Sequence, residues 1–197
     1  MSDKVLPTIY NFNFNTVFLS NETVHLLDDF KCGAGEIDRY VKEDALNDCM
    51  SGKGVTYLVI DNSSERLVAY YTLSATSLIY VEDYDITDKS NFNDIKIRGI
   101  PSIEIKMFAV NNSYQDILLH HEEHGEKLIS DVILGSVIGG IYDIAIKILG
   151  AEMIVLNSVP DAVDFYIRNN FLPIDEQYRT FDDDYTNDCM PMYMILF

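Results

Sequence analysis

Basic residues are scarce in this sequence of 197 residues. It has 14 Lys and Arg against 32 Asp and Glu, which gives a formal net charge of -18 at pH 7. A surface of this charge repels phosphate backbones unless basic residues gather locally, so nucleic-acid binding is disfavoured. The acidity either serves solubility or attracts a cationic amine substrate, and both interpretations stay open.

Cysteine is scarce as well. Cys32, Cys49 and Cys189 are an odd number without the spacing of metal ligands, which predicts reduced thiols in a reducing compartment. The N-terminal residues lack a basic region followed by an apolar core, and the most apolar stretch is interrupted by Tyr142 and Asp143. We therefore expect neither secretion nor a membrane span, and we expect a cytoplasmic protein.

The chain also lacks a Ser/Gly/Pro-rich linker and an internal repeat. Its hydrophobic fraction of 48% and aromatic fraction of 12% are typical of globular proteins. The length fits one domain of ordinary size with a well-buried core. We predict a single domain over residues 1–197.

One stretch, residues 103–149, organises the rest. Residues 103–110 (IEIKMFAV) alternate and then become continuously apolar, which is typical of a strand entering a buried sheet. A polar loop rich in His and Glu follows until Ser130 and Asp131, either of which can cap a helix that runs to Gly150. A strand, a loop and a helix N-terminus in this order can form an anion site, because the first-turn N–H groups are unpaired.

The patterns on either side predict further strands and helices. We expect strands over residues 15–20, 55–61, 67–76 and 151–159, of which the second and third form an antiparallel hairpin. We expect helices over residues 35–52 and 160–170, and Asn170 can take the left-handed turn that ends the second one. An exposed excursion over residues 80–98, an acidic turn over residues 182–188 and terminal strands complete the prediction. A strand–helix–strand run requires a parallel pair with a right-handed crossover. The order predicts an α/β fold (α+β by some schemes) with a mixed, mostly antiparallel sheet and flanking helices.

Four short strings resemble the GNAT-type N-acetyltransferases. They are FKCGAGEIDRYVKEDAL at 30–46, YYTLSA at 70–75, FAVNNSYQ at 108–115, and AVDFYIRNNF at 162–171, which is similar to the family's A-x-x-F-Y-x-x-x-G-F run. Together they span nearly the whole chain and are most similar to the branch that includes toxin–antitoxin acetyltransferases. The resemblance implies a GNAT-like sheet whose parallel strand pair is splayed.

The resemblance also implies that acetyl-CoA is the acetyl donor, bound where the parallel strands splay. Family members follow the central strand with a Q/R-x-x-G-x-G/A loop that wraps the pyrophosphate, whereas here Gln115 is followed by a longer segment whose single glycine is Gly125. Residues 125–130 would replace that loop, with Lys127 as its cation. The implied cofactor-binding residues are Phe108, Ala109, Val110, Gly125, Lys127, Leu128, Ile129, Ser130, Asn157 and Phe165.

Two residues are implied in catalysis. Tyr166 matches the family's tyrosine that protonates the departing thiolate, although a tyrosine on the inner face of a short helix can also be a core residue. Glu104 on the central strand is the candidate general base, but it alternates with Lys106 and can equally form a solvent-facing pair. Asn157 suits positioning better than proton transfer.

No metal site is predicted. His120, His121 and His124 stand beside two glutamates, and the first and third would share a face if the segment were helical. The sequence identifies no remote ligand for them, so a solvated loop is favoured.

We expect transfer of an acetyl group from acetyl-CoA to a primary amine of a small molecule or peptide, with Tyr166 as acid and Glu104 or water as the proton relay. A narrower alternative is toxin-like acetylation of aminoacyl-tRNA, for which Arg39, Lys42 and Lys53 could form a small basic patch. An alternative of another class is a degenerate GNAT fold acting as a non-catalytic binding module. The acceptor amine, a homodimer and any antitoxin partner stay open.

Overall fold

A computed structural model describes residues 6–82, 96–123, 125–175, 178–179 and 188–197 of the chain. The strands are β1 (Thr8–Ile9), β2 (Phe14–Phe18), β3 (Val55–Asp61), β4 (Leu67–Glu82), β5 (Lys96–Val110), β6 (Leu118–His121), β7 (Gly125–Leu128), β8 (Met153–Ser158), β9 (Leu172–Pro173), β10 (Tyr178–Arg179) and β11 (Met190–Ile195). The helices are α1 (Gly35–Glu43), α2 (Ala45–Ser51), α3 (Asn112–Gln115), α4 (Ile129–Ile144) and α5 (Val163–Arg168). Within these described ranges, two 3-10 turns (Val24–Leu27 and Pro160–Ala162) and a π-helical continuation of α4 (Ala145–Leu149) complete the order.

The long predicted elements are present with small changes at their ends. The central strand extends N-terminally to Lys96, and α4 begins at Ile129, one residue before the first of the two predicted capping positions. The left-handed Gly150, at φ 72°, ends the helix as predicted. The single helix predicted over residues 35–52 is instead two helices that meet at Asp44.

The prediction of a loop between β5 and α4 is wrong. It contains the short helix α3 and a hairpin in which β6 and β7 pair antiparallel, with Leu118 opposite Leu128. β1 pairs in parallel with β6, so the hairpin belongs to a three-stranded sheet of order β1-β6-β7. Gly125, at φ 71°, makes the left-handed turn into β7.

The described chain forms two compact units, and the first consists of Met1–Ser74 and Ile105–Ile138. In it β2, β3 and β4 are antiparallel neighbours, which confirms the predicted hairpin over residues 55–76. A buried apolar cluster joins these strands to α1 and α2. Its members are Leu19, Leu27, Phe30, Tyr40, Val41, Ala45, Leu58, Leu67, Tyr70 and Ala109.

The second unit consists of Ala75–Glu104 and Gly139–Phe197. Here β5 pairs in parallel with β8 over residues 102–104 and 153–155, which confirms the predicted parallel pair. β8 pairs antiparallel with β11, β11 with β9, and β10 with β4. The core on one face of this part of the sheet consists of Leu78, Ile100, Met153, Val155 and Tyr193.

The described part of the fold is therefore mixed α/β, with flanking helices and a mostly antiparallel main sheet that contains the parallel pair of β5 and β8. The single domain over residues 1–197 stays a prediction. The exposed excursion expected over residues 80–98 overlaps β4 and β5 at its ends, and residues 83–95 lie outside the described part of the chain. Residues 181–187, most of the predicted acidic turn, lie outside it as well.

The helical stretch Ile129–Leu149 is unusually apolar. It is long enough to cross a bilayer by length and composition, with a mean hydropathy of 1.9. Its N-terminal half nevertheless buries Ile133, Leu134 and Val137, as a core helix of a globular protein does.

Candidate functional site

The first unit contains the segment that follows the central strand, and this segment is tightly anchored. The Asn111 backbone N–H donates to Val68 O at 2.7 Å, and the Asn111 side chain accepts a hydrogen bond from the Ser113 N–H. The next N–H, of Asn112, donates to Lys31 O at 2.8 Å. The strand end is thus fixed to β4 and to the segment that precedes α1.

Gln115 occupies the place where the GNAT-type family that the sequence resembles begins its phosphate loop, and here its side chain joins two segments of the chain. Its Nε2 donates to Cys32 O and to Val110 O, both at 2.8 Å. Two of the strings that carry the family resemblance are therefore joined by one side chain. The Asp38 carboxylate accepts a hydrogen bond from the Cys32 N–H at 2.7 Å. Both the N–H and the carbonyl of Cys32, which precedes α1, are therefore hydrogen-bonded.

A polar cluster around Asp61 holds the next residue, Tyr114. The Asp61 carboxylate accepts hydrogen bonds from the hydroxyls of Ser63 and Ser64 at 2.7 Å each and from Tyr114 at 3.2 Å. Burial alone would raise the pKa of Asp61, but the hydrogen bonds from Ser64, Ser63 and Tyr114 outweigh it and lower the pKa. The carboxylate thus links the β3–β4 turn to α3 through hydrogen bonds.

The main-chain residues expected to bind the cofactor lie at the end of β5. Ala109 and Val110 are buried, and Phe108 is half-buried. Among the described residues, the parallel pairing stops at Glu104 and Val155, whereas β5 continues to Val110 and β8 to Ser158.

The residues expected to replace the phosphate loop form β7 and the start of α4. Gly125 and Lys127 are exposed and Leu128 is half-buried, whereas Ile129 and Ser130 are buried. The Ile129 N–H donates to Ile117 O at 3.0 Å, so this first amide of α4 is already used. The Ser130 hydroxyl, by contrast, makes no hydrogen bond with any residue that the structure describes.

The second unit contains Glu104, Asn157, Phe165 and Tyr166. Glu104 is half-buried within the parallel pair, where it lies opposite Val155. Asn157 is half-buried on β8, one residue before its end. Both therefore lie on paired strands, which fixes the positions of their backbones.

Tyr166 is buried on α5, and only 7% of its surface is exposed. Its ring makes edge-to-face contacts with Phe165 and Phe171, at centroid distances of 5.0 and 5.6 Å. Burial raises the pKa of Tyr166 above its ordinary range, so the hydroxyl stays protonated at neutral pH. Within the described part of the chain, this hydroxyl has no hydrogen-bond partner.

The end of α5 fixes this tyrosine in place. Asn170 adopts the left-handed conformation, at φ 68°, where the family's run has glycine, as the sequence predicted. The Phe171 N–H then turns back to Tyr166 O at 3.0 Å. Phe165 is half-buried, and the Arg168 guanidinium lies 4.9 Å from the centre of its ring.

The sequence reasoning missed a buried polar cluster in the first unit. Asp48, 8% exposed, accepts a hydrogen bond from the Tyr40 hydroxyl at 3.1 Å and pairs with Lys106 at 3.2 Å. Lys106 had been considered a partner of Glu104, but its ammonium joins β5 to α2. The available signal was an aspartate on the apolar face of α2.

The described residues contain no group of three or more His, Cys, Asp or Glu that could hold a metal ion. His120 is half-buried in β6 and packs on the Tyr10 ring at 5.3 Å. His124 lies outside the described residues, and the side chain of His121 does too.

No family model matches this sequence, and no curated protein matches it either. Solved structures match its fold. A bacterial toxin is 17% identical with a TM-score of 0.68, covering 94% of this chain and 92% of that chain. AtaTR bound with AcCoA is 16% identical with a TM-score of 0.63, covering 93% and 94%.

A third structure, AtaT complexed with acetyl-methionyl-tRNAfMet, is 17% identical with a TM-score of 0.62, covering 86% of this chain and 94% of that chain. At such identities the similarity shows the fold alone. The chain has the GNAT-like fold found in the AtaT and KacT acetyltransferase toxins.

Proposed function

We propose that the protein is an N-acetyltransferase that moves an acetyl group from acetyl-CoA to a primary amine. The observation that carries this proposal is the environment of Tyr166. The Tyr166 side chain is buried, but its hydroxyl makes no hydrogen bond with a described residue. Every buried polar side-chain atom of the described residues has a partner, so the Tyr166 oxygen itself is accessible. A protonated, open hydroxyl of this kind suits a general acid that meets a ligand.

The chemistry requires two proton transfers. The amine nitrogen attacks the thioester carbon, the C–S bond of the tetrahedral intermediate breaks, and the thiolate takes the proton of the Tyr166 hydroxyl. The amine proton goes to Glu104 or to a water molecule, because an ammonium has no lone pair with which to attack. Asn157 would position the reacting groups.

Acetyl-CoA binding is supported by the start of α4. The Ser130 hydroxyl and the first-turn amides after Ile129 offer donors at the positive end of a helix of sixteen residues. Lys127 supplies an exposed cation on the adjacent strand β7. We propose that these groups, with Gly125 and Leu128, bind the pyrophosphate, and that the main chain of Phe108, Ala109 and Val110 binds the pantetheine arm. A role of the Phe165 ring in cofactor binding stays a prediction.

The test is release of free CoA thiol when the pure protein is mixed with acetyl-CoA and a panel of primary amines. Tyr166→Phe should lower kcat about 100-fold, the range of general acid catalysis. Tyr193→Phe, a buried tyrosine of the same unit, is the matched control and should keep the wild-type rate. No thiol release with any amine, or equal rates for wild type and Tyr166→Phe, would remove the proposal.

Aminoacyl-tRNA is a second candidate acceptor, since one protein of this fold has been seen with acetyl-methionyl-tRNAfMet. Arg39, Lys42 and Lys53 are all exposed on or just after α1 and α2, but the net charge of -18 opposes polyanion binding. Binding of aminoacyl-tRNA at low and at physiological salt decides the matter, because phosphate-driven binding must weaken steeply as salt rises.

A non-catalytic module is the remaining alternative. Its support is the replacement of the family's glycine loop by the β6–β7 hairpin, which has a single glycine at its turn. A module would bind its partner without acetyl-CoA, so titration with the cofactor separates it from the enzyme. A cytoplasmic location stays a prediction. Whether the protein has an antitoxin partner stays open.

A further inference from the structure

The proposed mechanism does not use the buried polar cluster of the first unit. Tyr40 on α1, Asp48 on α2 and Lys106 on β5 form this cluster, and we name these three residues the Asp48 cluster. One carboxylate oxygen, Asp48 Oδ2, accepts hydrogen bonds from the Tyr40 hydroxyl at 3.1 Å and from the Lys106 ammonium at 3.2 Å. The ammonium also lies 5.9 Å from the centre of the Tyr40 ring. Three elements of the fold thus meet at a single oxygen atom.

Stability alone does not explain this ion pair. Asp48 is 8% exposed, and the same two helices contribute Val41 and Ala45 to the apolar core. Taking two charges out of water costs free energy that their attraction scarcely returns, so an apolar pair of similar size is often equally stable. Burial raises the pKa of Tyr40, so its hydroxyl keeps the proton that it donates to Asp48. A charged pair held in a partly desolvated place is typical of a site that contacts a ligand.

Two polar groups of the Asp48 cluster remain open. The second carboxylate oxygen, Asp48 Oδ1, has no hydrogen-bond partner among the described residues. Every buried polar side-chain atom of the described residues has a partner, so this oxygen is accessible. The Lys106 ammonium has three N–H groups and uses one of them within the described part of the chain, and its side chain is 24% exposed. An open acceptor therefore stands beside open donors.

The charge of the cluster selects the kind of ligand. One carboxylate and one ammonium cancel, so the attraction of a charged ligand to one of them is offset by repulsion from the other. A neutral group meets no such repulsion, and it costs less to take out of water than an ion. The amide group is neutral and carries both an N–H donor and a carbonyl acceptor. Its hydrogen bonds to charged partners are stronger than those between neutral groups.

We propose that the Asp48 cluster binds an amide group of a peptide, whose N–H donates to Asp48 Oδ1 and whose carbonyl oxygen accepts from the Lys106 ammonium. The inference rests on the proposed function in one respect, because it narrows the acceptor amine of that reaction to a peptide. An ester has the carbonyl but no N–H, so it leaves Asp48 Oδ1 without a donor. The cluster therefore discriminates against an aminoacyl ester.

Alaninamide and alanine methyl ester are matched probes, because both carry the primary amine and they differ in the group that the cluster contacts. Titration of the full chain without acetyl-CoA, followed by NMR, should show saturable binding of alaninamide. The Kd for the ester should be about tenfold higher, as loss of one hydrogen bond to a charged group predicts. Lys106→Met should remove this difference. Lys31→Met, which changes an exposed lysine of the same unit, is the matched control and should keep it.

A double variant separates loss of the site from loss of the fold. Lys106→Met alone leaves the Asp48 charge without its partner. Asp48→Leu combined with Lys106→Met replaces the whole ion pair by apolar groups and should keep the fold, which circular dichroism verifies. This double variant should bind alaninamide and the ester with equal Kd values.

Release of free thiol from acetyl-CoA connects the site to the reaction. The KM of wild type should be about tenfold lower for alaninamide than for the ester, and the double variant should raise the KM for alaninamide about tenfold with little change in kcat. Binding of alaninamide without any thiol release would contradict the proposed function and leave the amide site in place.

Four outcomes would overturn the amide site itself. They are no saturable binding of alaninamide, equal Kd values of the two probes for wild type, a difference that survives in both Lys106→Met and the folded double variant, and tighter binding of the ester. The last of these would assign the cluster to an aminoacyl ester.

Discussion

At the scale of single residues, Tyr166 combines a packed ring with an unpaired hydroxyl. Its ring is packed between Phe165 and Phe171, yet its hydroxyl has no partner among the described residues. Burial raises its pKa, which keeps the proton on the oxygen at neutral pH. The residue is therefore held rigidly while its proton stays available, as a general acid requires.

The raised pKa of Tyr166 predicts a loss of stability at high pH. The folded chain holds the proton more tightly than the unfolded chain, whose tyrosine pKa is about 10. The stabilisation is complete below that value and is lost as the pH rises from there towards the folded pKa. Urea unfolding at pH 8 to about 11.5 should show a steeper fall in the free energy of unfolding for wild type than for Tyr166→Phe. If the free energy of unfolding falls with pH equally steeply in wild type and Tyr166→Phe, the raised pKa does not belong to Tyr166.

Asp61 predicts the opposite dependence. Its pKa is lowered in the folded chain, so its stabilisation is present above the unfolded value of about 4 and is lost as the pH falls towards the folded pKa. Asp61→Asn should lower the free energy of unfolding by about 2 kcal/mol at pH 7 and flatten the acid limb of the curve. Urea unfolding measures both effects. Asp29→Asn, which removes an exposed carboxylate, should change neither the stability at pH 7 nor the acid limb. If Asp61→Asn is as stable as wild type, the Asp61 hydrogen bonds do not stabilise the fold.

At the scale of elements, the turn that follows α5 contains a strained residue. Asn170 adopts a left-handed conformation that costs an ordinary L-residue about 1–2 kcal/mol and glycine almost nothing. Asn170→Gly should therefore keep or raise the melting temperature, whereas Asn170→Val should lower the free energy of unfolding by about 1–2 kcal/mol. Calorimetric melting checks both. Equal melting temperatures for the two variants would contradict the argument.

The elements that the sequence predicted best are long ones with a regular apolar pattern. The central strand, the hairpin over residues 55–76 and α4 were predicted because their apolar residues repeat over many positions. The β6–β7 hairpin was missed because its strands are short and their polar composition hides the alternation. Gly125 was the available signal, since a glycine after a short polar loop is typical of a hairpin turn.

The contacts that shape the candidate site could not be predicted from local patterns. Tyr114 reaches Asp61 and Gln115 reaches Cys32, in each case across many intervening residues. Only the fold brings such pairs together, so the sequence could name Gln115 as part of a motif but not its task. The same holds for the pair of Lys106 with Asp48.

At the scale of the whole molecule, the fold and the net charge favour different acetyl acceptors. The fold is shared with toxins, one of which has been seen with an acetylated tRNA. The charge of -18 favours a cationic amine, because an acidic surface raises the local concentration of cations and repels polyanions. Both acceptors present a primary amine, so the acetyl-transfer chemistry proposed for Tyr166 is the same for either.

The use of acetyl-CoA is the central claim, and calorimetric titration of the pure protein with acetyl-CoA tests it most directly. We predict saturable binding that Lys127→Gln and Ser130→Ala each weaken by about three- to tenfold, as loss of one hydrogen bond or ion pair should. Lys53→Gln should bind as wild type does. No heat and no rise in melting temperature with acetyl-CoA would contradict the account and leave the fold as a binding module.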